Sequence, residues 1–260
     1  MNNWLDIRRG EAALIVTFPH TGTDLADVGD AFRSPWIARA DADWWVDQLY
    51  AFACDLGATT IRTAISRSVI DVNRDPSGAS LYPGQATTEL CPTTDFDGAP
   101  LYAGAVPDAA EIDRRRANWF TPYHAALQAE IDRLRARHDR VVIYDAHSIR
   151  SIVPRLFDGA LPQFNIGTNF GTTCSPELTA EVARLCAASG MSHVVEGRFR
   201  GGWTTRHYGR PEQGVHAIQM ELAMRGYLHE PVERTEASWP PPLDPAHAAP
   251  LTTTLTAILK

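Results

Sequence analysis

The chain has 260 residues, 44% of them hydrophobic and 21% charged, with a formal net charge of −7. This length and composition are typical of a globular protein and predict one domain over residues 1–260. The acidic balance and the absence of a Lys/Arg block argue against a nucleic-acid partner, and no stretch approaches the ~18 apolar residues of a membrane span. The first six residues lack the features of a signal peptide, and the four cysteines have no CxxC spacing. Together these features predict reduced thiols and a cytoplasmic location.

The first half of the chain predicts two strands around a helix. Residues 12–18 form an apolar run that predicts a buried strand. Apolar positions then recur at helical spacing from about residue 36 to residue 56. Residues 58–65 are rich in β-branched side chains and predict a second strand, and a further short apolar run covers 68–70.

The second half alternates loops, helices and strands. Residues 75–107 are dense in Gly, Pro, Thr and Asp, which is typical of a long functional loop. A long helix is predicted over 108–138, with an interruption at Pro122 because proline lacks the donor N–H. The remaining predicted elements are a strand at 141–144, a loop-rich stretch at 149–175, a helix from Pro176 to about residue 188, strands near 193–198 and 215–221, and a closing helix over the last dozen residues. This alternation predicts an α/β fold, a three-layer domain around a mostly parallel sheet.

Four polar clusters stand where apolar runs stop. They are Pro19–Gly22, Asp71–Arg74, Asp145–Ser148 and Gln219–Glu221. Ligands of open α/β sheets bind outside the carboxyl ends of the strands, so we expect these clusters to meet at one edge. Two histidines, an Asn-Arg pair and a glutamate in one place predict the site of a metal-dependent hydrolase.

Most of these residues also have an ordinary structural interpretation. His20 alone is typical of a surface turn, Asn73 of a turn, and Arg74 of a loop ion pair. Glu221 is either a functional carboxylate within a strand or the first-turn glutamate of a following helix. Asp43 opens the first predicted helix, where an N-cap is the natural interpretation.

His147 is harder to explain as a structural residue. It follows a four-residue apolar run, and period-two alternation puts Asp145 on the same side of the strand. A carboxylate beside a ligating imidazole usually fixes the tautomer of the ring, and a core-edge histidine capped by Asp145 is the alternative. Zinc hydrolysis needs about three N/O ligands, a carboxylate base and a cation for the oxyanion, and the polar clusters supply each type. The sequence contains no HExxH, GxSxG or P-loop motif.

Six segments carry a family resemblance. They are SRSVIDVNR at 66–74, LYPG at 81–84, FDG at 96–98, DAHSIRS at 145–151, PRLFDG at 154–159 and RHYG at 206–209. On these segments the sequence resembles the N-formylglutamate deformylases (N-formylglutamate amidohydrolases) of histidine degradation, from Pro19 to about Tyr227. The resemblance implies a mixed, mostly parallel sheet of the phosphorylase/hydrolase-like, zinc-carboxypeptidase-like kind. It also implies hydrolysis of N-formyl-L-glutamate to formate and L-glutamate, the last step of a histidine degradation route.

The resemblance also implies roles for the polar residues. A more distant likeness to zinc carboxypeptidases and aspartoacylase implies His20 and His147 as ligands of Zn²⁺ or another divalent metal. It implies Glu221 as the base, Asn73 at the substrate, and Arg74 at the substrate and the developing oxyanion.

The carboxylate ligand departs from the carboxypeptidase pattern, which has a glutamate three residues after the first histidine. That position is Thr23 in this chain, and Asp24 is one residue further on. The deformylases resemble one another at an Asp-x-Asp-Trp segment, so the resemblance favours Asp43 over Asp24 as the third metal ligand. A second departure is Glu196, where an asparagine is expected. A carboxylate pointing into the pocket there would alter substrate preference, whereas one facing away would not.

The two carboxylates of formylglutamate call for arginines, which bind carboxylates with two parallel hydrogen bonds. Six arginines lie in or beside the motif segments, namely Arg67, Arg74, Arg150, Arg155, Arg198 and Arg206. We therefore expect a small anionic substrate, no nucleic-acid or membrane partner, and a monomer or small homo-oligomer. Two alternatives stay open: a zinc amidohydrolase for another N-acyl amino acid, and a metal-free binding protein for an acidic metabolite. The intact histidines and glutamate argue against the second.

Overall fold

The computed structural model describes residues 4–260. Within them, one mixed β-sheet takes its strands from Leu5 to Ala223. Its strands are β1 (Leu5–Arg8), β2 (Leu14–Phe18), β3 (Thr59–Thr63), β4 (Val141–Ile149), β5 (Phe164–Gly167), β6 (His193–Val195) and β7 (Val215–Ala223). Their spatial order is β1-β3-β2-β4-β7-β5-β6. The pairs β1–β3 and β5–β7 are antiparallel, and the other neighbouring pairs are parallel. The mixed, mostly parallel sheet expected from the sequence is confirmed. Residues 1–3, part of the segment expected to lack a signal peptide, lie outside the described residues.

Helices cover both faces of this sheet. They are α1 (Pro35–Arg39), α2 (Val46–Leu49), α3 (Ala109–Arg115), α4 (Thr121–Arg135), α5 (Pro176–Ala188), α6 (Trp203–Tyr208) and α7 (Pro245–Leu259), with a π-helical turn at Arg116–Phe120 and short 3-10 turns at Ala26–Ala31, Ala51–Ala53, Pro211–Gln213 and Met224–Gly226. Leu127 and Ile131 of α4 share one apolar cluster with Ile143 of β4, whereas α5 and α7 share another with Tyr144 and Ile218. Because both faces of the central strands are buried, these strands appear in the sequence as continuous apolar runs. The three-layer α/β/α arrangement is confirmed.

The helices of residues 4–260 include none with the length and apolarity that crossing a lipid bilayer requires.

The helix predicted from residue 36 to residue 56 is wrong in its middle. α1 ends at Arg39, and Trp45 has a left-handed backbone with φ of 63° immediately before α2. This conformation interrupts a right-handed helix. The interruption leaves Asp43 outside both helices, with its backbone N–H donated to the carbonyl of His20 at 3.0 Å. The break therefore carries Asp43 to the end of β2.

Other sequence predictions need smaller corrections. The run 68–70 is not a strand but a turn, in which the N–H of Val69 donates to the carbonyl of Ser66 at 2.9 Å. The long helix predicted over 108–138 is α3 and α4, joined by the π-helical turn, so Pro122 falls in the first turn of α4 where its missing N–H has little cost. β1, β5 and α6, of 4, 4 and 6 residues, were not predicted because they are too short for a periodic pattern.

The polar residues of the two central strands share one face of the sheet. Asp145 and His147 on β4 are register partners of Gln219 and Glu221 on β7. By period-two alternation they follow Ile143, whose side chain packs on the α4 side. The fold therefore gathers these polar groups at the carboxyl ends of parallel strands, on the face that α4 covers.

Candidate active site

His20, Asp43 and His147 meet at the carboxyl edge of β2 and β4. The Nδ1 atoms of the two imidazoles are 3.1 Å apart, and Asp43 Oδ2 lies 3.0 Å from His147 Nδ1 and 3.6 Å from His20 Nδ1. All three side chains are buried. One ligand atom from each lies within 4.8 Å of the others. The structure thus brings together the three residues that the sequence predicted as metal ligands, at a spacing that one ion can bridge.

A second carboxylate stands behind each of these histidines. Asp71 Oδ1 lies 2.6 Å from His20 Nε2, and Asp145 Oδ2 lies 3.0 Å from His147 Nε2. With a proton on His20 Nε2 donated to Asp71, the Nδ1 lone pair of His20 points toward Asp43. His147 Nε2 lies between Asp145 Oδ2 and the NH₂ group of Asn73, which is 2.9 Å away, and its Nδ1 also faces Asp43. Two neutral imidazole nitrogens and one carboxylate oxygen form a donor set that fits zinc or another divalent ion. The pairing of Asp145 with His147, predicted from strand alternation, is confirmed.

Asp43 stands in the cluster, whereas Asp24 is exposed on a loop. Asp43 Oδ1 also lies 3.5 Å from the Nη1 of Arg67. In the metal-free protein, with the histidines protonated, the charge of His20 and the hydrogen bonds from both rings outweigh the effect of burial and hold the pKa of Asp43 below its ordinary value. Asp43 is therefore an ionised carboxylate in a buried place, as a metal ligand must be.

Glu221 lies beside His147 on the neighbouring strand, since the two are register partners. It lines a pocket of about 560 Å³, counted with its open mouth, together with both histidines of the cluster. In the metal-free protein, burial raises the pKa of Glu221 to about 8, while the charge of a protonated His147 opposes this shift and that of Asp43 adds to it. A cation bound in the cluster acts in the lowering direction. A carboxyl group whose pKa lies near neutrality both takes and returns protons readily.

Asn73 and two of the six expected arginines, Arg67 and Arg74, approach the pocket from the 66–74 segment. Arg67 donates to Asp71 Oδ2 at 2.8 Å and lies 4.8 Å from the centre of the Phe96 ring. Arg74 lies 3.6 Å from the same Asp71 oxygen and is otherwise hydrogen-bonded to a neighbouring loop. These cations compensate for the buried carboxylates of the cluster.

Arg198 is the third arginine of the pocket and the one without a charged partner. It donates to the backbone carbonyls of Ala86 at 2.6 Å and Leu156 at 2.8 Å, and it lies 5.4 Å from the Tyr82 ring. No carboxylate within residues 4–260 forms an ion pair with it. A substrate carboxylate would be its natural partner.

The structure does not bring Arg150, Arg155 and Arg206 into the pocket lining. Arg150 pairs with Asp97 at 2.9 Å, and Arg206 lies 4.9 Å from the centre of the Tyr82 ring. Arg155 donates weakly to a loop carbonyl at 3.5 Å. In this structure these three residues support the loops around the pocket.

Glu196 also stays outside the pocket lining. Its Oε1 accepts the Thr168 hydroxyl at 2.8 Å, and its Oε2 accepts the Phe170 N–H at 2.9 Å. Its carboxylate is therefore engaged by the loop after β5.

The sequence alone predicts no role in the site for Asp71, Gln219 or His124. Asp71 and Gln219 stood within the polar clusters, and only the fold shows which partners they meet. His124 lies in α4, and its Nε2–H donates to the carbonyl of Val72 at 2.8 Å, next to both Asp71 and Asn73. No motif in the sequence marks it.

A buried His-Asp-His donor set at the carboxyl edge of an α/β sheet, beside a carboxyl group and cationic side chains, is typical of metal-dependent hydrolases. A model of the N-formylglutamate amidohydrolase family matches residues 12–228. The chain belongs to this family, as the sequence resemblance predicted.

Relatives and solved structures agree with this assignment. Two curated relatives called N-formylglutamate deformylase, from Pseudomonas aeruginosa and Pseudomonas putida, are 48% and 45% identical over 233 residues, which cover 88% of this chain and 87% of each relative. The crystal structure of an N-formylglutamate amidohydrolase from Ralstonia eutropha JMP134 is similar, with a TM-score of 0.78 at 25% identity over 98% of this chain and 95% of that chain. A gene product of Agrobacterium tumefaciens shares the fold, with a TM-score of 0.75 at 14% identity over 98% and 93% of the two chains.

Proposed function

We propose that the protein hydrolyses N-formyl-L-glutamate to formate and L-glutamate. The observation that carries the proposal is the convergence of His20, Asp43 and His147 beside Glu221, in a pocket lined by three arginines. The name of the 48% identical relative, N-formylglutamate deformylase, supports the same substrate. We further propose that residues 1–260 form a single catalytic domain, because one sheet takes strands from residue 5 to residue 223.

We propose that His20, Asp43 and His147 hold a divalent ion, and that this ion is zinc. When bound there, such an ion supplies Lewis-acid polarisation and activates water at neutral pH. In this proposal Asp71, 2.6 Å from His20 Nε2, holds the proton of that nitrogen, and Asp145, 3.0 Å from His147 Nε2, does the same for the second ring. The Nδ1 atoms therefore carry no proton, and their lone pairs are free to coordinate the ion.

Glu221 moves the proton in the proposed reaction. The oxygen of water bonds to the formyl carbon, the C–N bond breaks, and the leaving nitrogen gains a proton. Glu221 takes that proton from the attacking water and returns it to the nitrogen. Its position beside His147 and its raised pKa suit both transfers.

The arginines bind the rest of the substrate. The formyl group is small, so most of the binding energy must come from the glutamate portion. Arg198 lacks a carboxylate partner within residues 4–260, and we assign the side-chain carboxylate of the substrate to it. Arg74 belongs to the segment whose Asp71 contacts His20, and we assign it to the developing oxyanion.

We also propose that the reaction is the last step of a histidine degradation route, that it takes place in the cytoplasm, and that the protein is a monomer or small homo-oligomer. The sequence resemblance to the N-formylglutamate deformylases of histidine degradation supports the first statement. We also propose that the protein has no nucleic-acid partner, which its acidic composition supports.

The direct test measures formate release from N-formyl-L-glutamate by the purified protein. We expect activity that a chelator abolishes and added zinc restores. A panel of other N-acyl amino acids tests how narrow the specificity is. Similar kcat/KM values across the panel would replace the proposal by a broader N-acyl amino acid hydrolase. Tight binding of the substrate without formate release, in metal-loaded protein, would instead indicate a binding protein.

A further inference from the structure

Gln219 lies on β7 two residues before Glu221, and its buried amide is held at both ends. Its Oε1 accepts the backbone N–H of Gly202 at 2.7 Å, and its Nε2 donates to Glu221 Oε2 at 3.2 Å. A backbone N–H only donates, so the oxygen end of the amide must face Gly202. The NH₂ end must therefore face Glu221, and the backbone sets this orientation.

The amide of Asn73 is held in a similar way by the same segment. Its Oδ1 accepts the N–H of Thr204 at 2.8 Å, and its Nδ2 donates to Asp145 Oδ2 at 2.9 Å and lies 2.9 Å from His147 Nε2. Gly202 packs so closely on this amide that a Cβ there would lie 2.5 Å from Asn73 Nδ2. The segment Gly202–Thr204 thus orients two amides at once, and each amide turns its NH₂ group toward a carboxylate.

We infer that Gln219 is a positioning residue that decides which oxygen of Glu221 handles the proton. Since Gln219 donates to Oε2, that oxygen is held as an acceptor. Oε1 is then the atom at which an O–H bond forms as the O–H bond of water breaks. The same O–H bond at Oε1 breaks as the N–H bond of the leaving glutamate forms. The inference rests on the proposed function and adds one residue and one atom to it.

Two variants of Gln219 test this role by kinetics. Gln219→Met keeps the length of the side chain and removes both hydrogen bonds. Gln219→Glu keeps an acceptor for Gly202 but puts an oxygen opposite Glu221 Oε2. We expect kcat of Gln219→Met to fall about 10- to 100-fold, the worth of one hydrogen bond to a charged group. KM and bound metal should stay close to the wild-type values, and Gln219→Glu should lose at least as much kcat.

Gln163→Met is the matched control. Gln163 is also buried, and its Nε2 donates to the backbone carbonyl of Ala223 at 2.8 Å, outside the pocket lining. Its kcat should stay within about threefold of wild type, an allowance below the worth of one such hydrogen bond. A kcat of Gln219→Met equal to that of this control would overturn the inference. A loss of bound metal in Gln219→Met would also overturn it, since the role would then be structural.

A readout without turnover separates this inference from the proposed function. The side-chain NH₂ of Gln219 can be assigned in nitrogen-15 NMR spectra by its disappearance in Gln219→Met. We expect its protons to exchange with water more slowly in wild type than in Glu221→Ala, which lacks the acceptor. Equal exchange rates would overturn the inference even in an active enzyme. Slow exchange in a protein that leaves N-formylglutamate intact would overturn the substrate assignment and leave the contact standing.

Discussion

Glu221 is the residue whose replacement should remove the most activity for the least change in structure. Glu221→Gln keeps the size and hydrogen-bonding capacity of the side chain but takes no proton. We expect kcat to fall ~10²–10⁴-fold, the usual range for general acid–base catalysis, with bound metal unchanged. Steady-state kinetics and metal analysis check this, with Glu212→Gln on the exposed surface as the control. Near-wild-type activity of Glu221→Gln would show that another group moves the proton.

Arg198 and Arg74 should respond differently to the charge of the substrate side chain. Arg198→Ala should lower kcat/KM for N-formylglutamate about 10- to 100-fold, because a carboxylate loses its charged partner. The same variant should lose much less with N-formylglutamine, which lacks that carboxylate. Arg74→Ala should lose equally with both substrates, because we place it at the reacting centre.

Arg184→Ala is the control variant for both substrates. Arg184→Ala removes an exposed arginine that pairs with Glu181 and should change neither rate. If wild-type protein hydrolyses both substrates equally well, the assignment of an arginine to the side-chain carboxylate is wrong.

The alternation of side chains along a strand predicts which residues are neighbours on that strand. The path of a loop, and so the contacts that its residues make with a strand, cannot be predicted in this way. Asp145 was expected beside His147 because two positions on a strand share a face, and the 3.0 Å contact confirms it. The 2.6 Å contact between Asp71 and His20 was not predicted. It depends on the turn at Ser66 and on the path of residues 66–73, for which local sequence holds no periodic signal.

At the scale of elements, α4 and the Asp71–Asn73 loop are joined through His124. Burial lowers the pKa of His124 from 6.5 to about 4. As the pH falls, His124 therefore becomes protonated in the unfolded chain at a higher pH than in the folded protein. This contribution to stability is fully present above about pH 6.5 and is lost toward pH 4. Urea unfolding should show a loss of about 2 kcal/mol from this group between pH 7 and pH 5.

His124→Gln isolates the pH-dependent contribution of His124 to the free energy of unfolding. The amide N–H of glutamine still reaches the carbonyl of Val72, but it does not titrate in this range. The free energy of unfolding of this variant should depend less on pH by the stated amount. His193→Gln, at an exposed position of β6, should keep the wild-type dependence. If the free energies of unfolding of wild type and His124→Gln change equally with pH, His124 is not the source of this pH dependence.

Local signals predict an element well where they act alone. α5 was predicted from Pro176 to about residue 188 and is found at Pro176–Ala188, with the Ser175 hydroxyl accepting from Leu178 N–H. The predicted helix over 36–56 failed because tertiary contacts override its periodicity: Asp43 is drawn inward to the histidines and Trp45 turns left-handed. β5 was hidden because it obtains its stability from pairing with β6 and β7 rather than from its own sequence.

At the scale of the whole molecule, the candidate metal ligands come from positions 20, 43 and 147, so the complete donor set exists only in the folded chain. An ion that binds only the folded state stabilises it by mass action, by about 2.7 kcal/mol at one hundred times its Kd. Chelation should therefore lower the Tm of wild type by about 5–10 °C. His147→Ala should show a low Tm that a chelator does not change, whereas His193→Ala should behave as wild type. An unchanged Tm in wild-type protein stripped of metal would contradict this.

In the sheet β7 stands between β4 and β5, although β5 and β6 precede it in the chain. A chain that leaves the ribosome from its N-terminus has made β5 and β6 before the strand that attaches them to β4 exists. Until then one edge of β4 and the β5–β6 pair remain open, and open strand edges pair with other chains. We expect chains that stop before residue 215 to aggregate in sedimentation assays, whereas the 260-residue chain should not. Because Glu221 lies on β7, synthesis of this one strand both completes the sheet and supplies the proposed base.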